Sequence, residues 1–114
     1  MARGLYADTF QISTNTDTAI IPAPSAGERI YVKYIGVAVS VAGTSSRLRV
    51  ENGVGGDVIF RMATTSADGM ADRLFDTGDA RMPGYPLTVA TALNVNTSGT
   101  GAATVDVVVE WEVK

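Results

Sequence analysis

The chain has 114 residues, of which 46% are hydrophobic and 18% charged, a balance typical of a single globular domain. Nine basic residues against twelve acidic ones give a net charge of −3, and no run of Lys or Arg predicts a nucleic-acid-binding surface. Cys and His are absent, which excludes disulfides, zinc sites built from Cys and His, and Cys–His or Ser–His–Asp catalysis. No apolar stretch has the length of a signal peptide or a membrane span, so we expect a protein that is made in the cytoplasm, is not secreted by that route and has no membrane partner.

The first two predicted strands are LYADTFQI (5–12) and TAIIPA (18–23). Residues 1–16 are interpreted as an N-terminal arm with the first strand, and residues 17–114 as a β-sandwich, the two forming one domain. Pro22 and Pro24 shorten the second strand. Because proline has no N–H to donate, this strand is expected at a sheet edge.

A third strand is predicted over RIYVKYIGVAVSV (29–41), with one irregularity. Residues 30, 32 and 34 share one phase of the alternation, whereas residues 35, 37, 39 and 41 share the opposite phase. A β-bulge inserts one residue and shifts the phase in this way, so we expect a bulge near Gly36.

A hairpin is predicted where SRLRVE (46–51) is followed by NGVGG and then DVIFRM (57–62). Asn-Gly between two alternating runs favours a tight turn, because both residues tolerate a positive φ. Leu48 and Val50 should point inward, and Arg47, Arg49 and Glu51 outward. The glycine cluster leads into a strand rather than a helix, which argues against a phosphate-binding loop.

Residues 64–85 show no alternation and contain three Gly and four Asp. They are interpreted as a long loop, with one helical turn through Ala71 to Phe75 or a short strand around LFDTG as the alternatives left open. Loops of this length in a compact domain usually carry a function or make a contact.

Asp76-Thr-Gly in this loop resembles the way an aspartic protease presents its catalytic carboxylate. A retroviral-type protease needs this Asp early, followed by a flap hairpin and a second hydrophobic-Gly motif, but only 38 residues follow Asp76 and they are predicted strands. Asp79 also places a charge where the protease has a small residue. Asp-Thr-Gly is ordinary turn sequence, so no catalytic residue is assigned.

Four aspartates of the loop raise the question of calcium, which prefers six to eight oxygen ligands. The spacing of Asp68, Asp72, Asp76 and Asp79 matches no calcium-loop motif. No metal ligand is therefore assigned, and calcium binding by residues 66–79 is left open.

Two alternating segments follow, PLTVATALNVNT (86–97) and ATVDVVVEWEV (103–113). The intervening SGTG predicts that they form a hairpin. In the first segment the apolar residues share a face, and Asn94 and Asn96 point away from it. In the second, Trp111 belongs to the apolar phase and is expected in the core, whereas Val108 interrupts the polar phase.

Taken together, these segments predict an all-β protein with almost no helix. Seven or eight strands with recurring turns indicate a single antiparallel β-sandwich or jelly roll with one long loop.

The order of these segments resembles small single-domain β-sandwich structural proteins of tailed bacteriophages. The resemblance covers about residues 17–114 and includes GERIYVKYIGVAVSVAG, the RLRVENGVGGDVIF hairpin and the closing YPLTVATALNVNTSGTGAATVDVVVEWEVK. It implies a non-enzymatic virion protein on the capsid surface, most specifically a head decoration (cement) protein. Its expected partners are the major capsid protein and further copies of itself, as a trimer. A carbohydrate- or receptor-binding module of a tail fibre or head fibre is the alternative.

Contacts with the capsid or between subunits are expected from the N-terminal arm and the long loop. The apolar candidates are Leu5, Tyr6, Met70, Leu74, Phe75, Met82 and Tyr85. In an equally weighted alternative, Leu74 and Phe75 close one end of the sandwich. No cofactor is expected.

Overall fold

The computed structural model describes residues 5–13, 16–44, 47–75, 84–99 and 102–114. These residues form nine strands and no helix, so the all-β prediction is confirmed. Eight strands have five residues or more, and β7 has two. The strands are β1 (Leu5–Ile12), β2 (Asp17–Ile21), β3 (Ile30–Val41), β4 (Arg47–Asn52), β5 (Val58–Met62), β6 (Met70–Leu74), β7 (Tyr85–Pro86), β8 (Leu93–Gly99) and β9 (Thr104–Val113).

The strands form two antiparallel sheets. Sheet A has the order β1-β9-β3-β6, with β7 also paired to β3, and sheet B has the order β2-β8-β4-β5. The pairs β1–β9, β2–β8, β3–β6 and β4–β5 are nested in sequence, as expected for a doubled-back chain wound into a jelly roll. The predicted edge position of the second strand is confirmed, because β2 borders sheet B and ends at Ile21, before Pro22.

The core lies between the inner faces of the two sheets. Sheet A contributes alternate residues of β3 and β9, and sheet B contributes alternate residues of β4 and β8. Fully buried examples are Ile30, Val32, Ile35, Val105, Val107, Val109, Leu48, Val50, Leu93 and Val95. Each such side chain stabilises the fold by roughly 1.5–3 kcal/mol relative to an exposed one.

The predicted bulge in β3 is present, but at Lys33 rather than Gly36. The register with β9 shifts between Val32 and Tyr34, so Tyr34 points outward instead of sharing the inward face. Gly36 remains in regular pairing with Val108. A second shift after Val39 leaves Val41 54% exposed, contrary to its predicted inward orientation.

The predicted β4–β5 hairpin is confirmed. Gly53 and Gly55 have φ values of 77° and 72°, a region that L side chains rarely adopt. The Asn52 N–H donates to the Asp57 carbonyl at 2.9 Å and closes the turn. Among the described strands, these are the only two sequence neighbours that pair with each other.

The predicted hairpin between residues 86–97 and 103–113 is wrong. β8 lies in sheet B between β2 and β4, whereas β9 lies in sheet A between β1 and β3, so the chain crosses from one sheet to the other. Residues 86–97 are also not one strand, because Ala90 has a φ of 55° and β8 begins only at Leu93. Val89 is consequently exposed rather than inward.

The helical turn considered for Ala71 to Phe75 is also wrong, because β6 pairs with β3 from Tyr34↔Leu74 to Ala38↔Met70. Its weak alternation reflects its place at the edge of sheet A, where both faces of the strand are partly open to solvent. The predicted Asp76-Thr-Gly turn and Asp79 lie outside the described residues.

Candidate functional site: the outer face of sheet A

The outer face of sheet A is built from three neighbouring strands in register. One row across β9, β3 and β6 is Asp106–Ala38–Met70, the next is Val108–Gly36–Asp72, and the third is Glu110–Tyr34–Leu74. Strand alternation places all nine side-chain positions on the same side of the sheet, away from the core. We call these nine positions the outer grid.

Several large apolar side chains of this face are exposed to solvent. Met70 is 79% exposed and Leu74 64%, and Val108 stands between two carboxylates with 37% exposure. Leu5, which is 65% exposed, lies on the same face at the β1 edge, where it pairs with Glu112. Single exposed apolar residues are normal, but several on one sheet face are typical of an interaction surface.

An open groove of about 260 Å³ runs along the outer grid. Its floor includes Gly36, Ala38 and Val108, and Tyr34, Met70, Asp72 and Asp106 line its sides. A Cβ at Gly36 would lie 2.8 Å from the Tyr34 hydroxyl oxygen, so a larger residue here would make the Tyr34 ring shift. The Tyr34 side chain thus leans over a strand position that carries no side chain of its own.

The Tyr34 side chain is held in place across the strand pair. Its hydroxyl donates a hydrogen bond to Asp72 Oδ2 at 3.1 Å. Partial desolvation, and then the hydrogen bond and the negative charges of Asp72 and Glu110, raise the pKa of Tyr34 above its ordinary value. The phenol therefore stays protonated in this negatively charged setting.

The charges of the outer grid all have one sign. Asp72, Asp106 and Glu110 form no ion pair within the described part of the chain. The neighbouring Glu112 does, since Lys33 Nζ lies 3.5 Å and Lys114 Nζ 3.6 Å from its Oε1. Lys33 and Lys114 both lie beside Glu112, and within the described ranges no cation pairs with the three grid carboxylates.

The predicted contact residues fall into two groups. Leu5, Met70 and Leu74 are exposed on the outer face of sheet A, whereas the aromatic candidates pack against the core. Tyr6 stacks on Trp111 with ring centroids 5.4 Å apart, and Phe75 meets Tyr85 edge-to-face at 6.0 Å.

This division bears on the alternative that Leu74 and Phe75 both close one end of the sandwich. The packing of Phe75 agrees with that alternative, and the exposure of Leu74 does not. Met82 lies outside the described residues. The expected core position of Trp111 is met in part, because its ring is half-buried between Tyr6 and Phe10 and packs against the core.

The outer face of sheet B is covered by polar side chains that contact one another. Glu51, Asn94 and Asn96 point away from the core as predicted, yet they are buried. The Asn94 side-chain amide donates to Asp17 Oδ1 at 3.0 Å and to Glu51 Oε1 at 2.9 Å. Polar side chains of β2, β8 and β4 thus cover one another, and we call Asp17, Asn94, Glu51 and Arg49 the polar ladder.

The polar ladder is not fully satisfied. Arg49 Nε lies 3.8 Å from Glu51 Oε2, too far for a hydrogen bond, and it has no other acceptor within the described ranges. Asn94 Oδ1 is likewise buried without a donor among those residues.

Sequence reasoning did not identify Tyr34, Gly36 and Asp106 as parts of a site. One signal was visible, because Val108 interrupts the polar phase of β9, and it lies at the centre of the exposed face. Tyr34 and Gly36 lie on one strand, and Asp106 becomes their neighbour only through the β3–β9 register.

Two kinds of feature are absent from the described residues. No group of three or more Asp and Glu side chains is arranged to hold a metal ion there. No helix in this part of the chain is long and apolar enough to cross a membrane.

No protein-family model matches the chain, and no curated protein matches it. Among solved structures, a chain from Bacillus endospore appendages, described as a novel family of disulfide-linked pili, is similar with 16% identity and a TM-score of 0.42 over 99% of this chain and 89% of that one. The SPBc2 prophage-derived protein YomS is similar with 15% identity and a TM-score of 0.37 over 92% of this chain and 95% of that one. At these scores neither similarity assigns a function.

Proposed function

We propose that this chain is a non-enzymatic bacteriophage virion structural protein, a head decoration protein that binds the major capsid protein through the outer face of sheet A. The observation that carries the proposal is the set of exposed apolar side chains on that face, Leu5, Met70, Leu74 and Val108. Removing such residues from water on a capsid shell would contribute roughly 25 cal/mol per Å² of buried apolar area.

Other properties of the chain support a place on a virion. A jelly roll without Cys gives a domain whose integrity does not depend on redox conditions. The net charge of −3 disfavours adhesion to packaged DNA. Jelly rolls are common in viral capsid proteins, although the fold alone does not define a function.

The proposed assembly is a trimer, free or formed on the shell. A capsid offers local three-fold positions, and three linked contacts raise the apparent affinity without any new kind of contact. A carbohydrate-binding module is less favoured, because five aromatic side chains pack against the core instead of forming an open stacking platform. These are Tyr6, Phe10, Phe75, Tyr85 and Trp111.

The test is co-sedimentation with capsids assembled without this chain. The variant Met70→Ser/Leu74→Ser removes two exposed apolar side chains of the outer grid. Val54→Ser/Val89→Ser is the matched control, because these residues are 70% and 38% exposed outside that grid. The first variant should bind at least about tenfold more weakly, a difference of about 1.4 kcal/mol, and the control should bind like the wild type.

Stoichiometry on the capsid, measured by cryo-electron microscopy, should show three copies around each occupied position. Absence of wild-type binding to any capsid preparation would contradict the decoration role. Equal binding by both double variants would show that another face makes the contact.

A further inference from the structure

The outer grid combines an apolar floor with acidic margins. Ala38, Gly36 and Val108 are central, and the carboxylates of Asp106, Asp72 and Glu110 stand around them. An occupant that matches this arrangement has a slender apolar stem and a positive head. A purely apolar side chain would remove water from the carboxylates without giving them a positive charge or a hydrogen-bond donor in its place, which costs free energy.

The size of the groove restricts the occupant further. Sites for small organic ligands usually enclose about 300–1,000 Å³, whereas this groove has about 260 Å³ and is open. It therefore suits one inserted side chain better than a separate small molecule. Lys and Arg lay their methylene stems along apolar surface while the charged head reaches a polar partner.

We propose that this groove receives a lysine or arginine side chain from the partner polypeptide, with its stem over Val108 and Ala38 and its cation near Asp72 and Asp106. The proposal rests on the proposed function for the identity of the partner, the major capsid protein, but the chemistry of the groove stands independently of it. The three grid carboxylates have no cationic partner among the described residues, so an incoming cation displaces none.

Tyr34 favours the same occupant. Its ring forms one wall of the groove, and its hydroxyl already donates to Asp72, so the ring orientation is fixed before binding. A cation within about 6 Å of a tyrosine ring is attracted to the ring face. The wall thus adds selectivity for a cation over a neutral stem of equal length.

The test uses capped alanine pentapeptides whose central residue is lysine, arginine or norleucine, titrated into the ¹⁵N-labelled full chain. Lysine and arginine peptides should shift the backbone amides of Gly36, Ala38 and Val108, with a Kd on the order of millimolar for one side chain. The norleucine peptide should bind at least about fivefold more weakly, and added salt should reduce that difference.

Asp72→Asn/Asp106→Asn removes two groove charges, and the asparagine at position 72 can still accept the Tyr34 hydrogen bond. Asp8→Asn/Asp57→Asn is the matched control, since it changes the net charge equally at exposed positions outside the groove. The groove variant should lose at least about fivefold in affinity for the lysine peptide, and the control less than about twofold. Gly36→Ala, which crowds the floor without changing charge, should also weaken binding.

Equal affinity for norleucine and lysine, an equal loss in the control variant, or shifts confined to another surface would each overturn the inference. Capsid co-sedimentation distinguishes a failure of this inference from a failure of the proposed function. If the wild type and Asp72→Asn/Asp106→Asn sediment equally well with capsids, the groove is not the basic-residue site although the decoration role holds. If the wild type binds no capsid but selects the lysine peptide at the groove, the decoration role fails and the inference stands.

Discussion

The two outer faces of the sandwich differ in how far their side chains are buried within the monomer. On sheet B, polar side chains from three strands bond to one another until Asn94 has no exposed surface and Glu51 has 3%. On sheet A, the outer grid combines carboxylates that form no ion pair among the described residues with small and apolar residues, and Met70 and Leu74 are mostly exposed. The outer face of sheet B therefore buries most of its polar side chains against one another within the monomer, although Arg49 Nε and Asn94 Oδ1 lack a partner among the described residues, and the outer face of sheet A stays open.

This difference indicates separate roles for the two faces. When a buried polar group loses its hydrogen-bond partner, it stays buried without a hydrogen bond, and this costs stability. An exposed apolar group contributes little to the monomer and more when a second surface covers it. We therefore expect stability to respond to substitutions on sheet B and binding to respond to substitutions on sheet A.

Asn94→Leu should produce the largest loss of stability. It removes the donors to Asp17 and Glu51 and leaves the buried Glu51 carboxylate with only the Gly55 N–H, at 3.4 Å, and the distant Arg49. The free energy of unfolding should fall by about 3 kcal/mol, as measured by urea denaturation at neutral pH.

The double variant Asn94→Leu/Glu51→Leu gives the internal control. The double variant no longer contains the unpaired Glu51 carboxylate. Its loss of unfolding free energy should therefore be smaller than the sum of the losses in the two single variants. A loss below about 1 kcal/mol for Asn94→Leu alone would mean that the polar ladder contributes little, and the contrast between the faces would disappear.

Met70→Ser/Leu74→Ser should have a much smaller effect on stability. Both side chains are mostly exposed, so each substitution should change the free energy of unfolding by less than about 0.5 kcal/mol. Thermal unfolding followed by circular dichroism measures this directly. A loss above about 2 kcal/mol would show that these side chains pack within the monomer and are not reserved for a partner.

The smallest effect is expected from the Tyr34 hydroxyl, and it should depend on pH. Because the folded-state pKa of Tyr34 is raised above the unfolded value near 10, the fold favours the protonated phenol. This contribution is fully present below pH 10 and is lost as pH rises through the folded pKa. The stability advantage of the wild type over Tyr34→Phe should therefore be constant below the unfolded-state pKa near 10 and shrink in urea titrations as the pH rises above it.

Absorbance at 295 nm, compared between the wild type and Tyr34→Phe, should show that the phenol missing from the variant has a pKa above the ordinary tyrosine value near 10. A stability difference that stays constant or grows with rising pH would contradict the assigned direction.

Strands and inner faces could be predicted because they depend on local alternation. The hydrophobic phase of β3, β4 and β9 identifies eleven of the twenty buried hydrophobic residues in the described part of the chain without knowledge of strand pairing. The Asn52-Gly53 turn could be predicted for the same reason, since its geometry depends on adjacent residues. The bulge was detectable as a change of phase, but its position depended on the pairing with β9.

Strand partners and outer faces depend on residues far apart in sequence. Ser98 to Gly101 predicts a turn, but turn composition does not distinguish a hairpin from a crossing between two sheets. Asn94 is buried only because β8 lies between β2 and β4, and Asp72 meets Tyr34 across 38 residues. The apolar groove could not be predicted for the same reason.

The position of β9 also determines when the molecule can fold. In the described structure, β1 pairs only with β9, and β9 separates β1 from β3, so sheet A cannot be completed until β9 has left the ribosome. The β4–β5 hairpin can pair as soon as it is made, but β1 must wait for a strand that begins 92 residues after β1 ends (104 − 12). Throughout that interval the nascent strands present unpaired backbone and apolar inner faces. Closure by such distant strands slows folding, so synthesis and chaperone protection affect the yield of native protein as much as its final stability does.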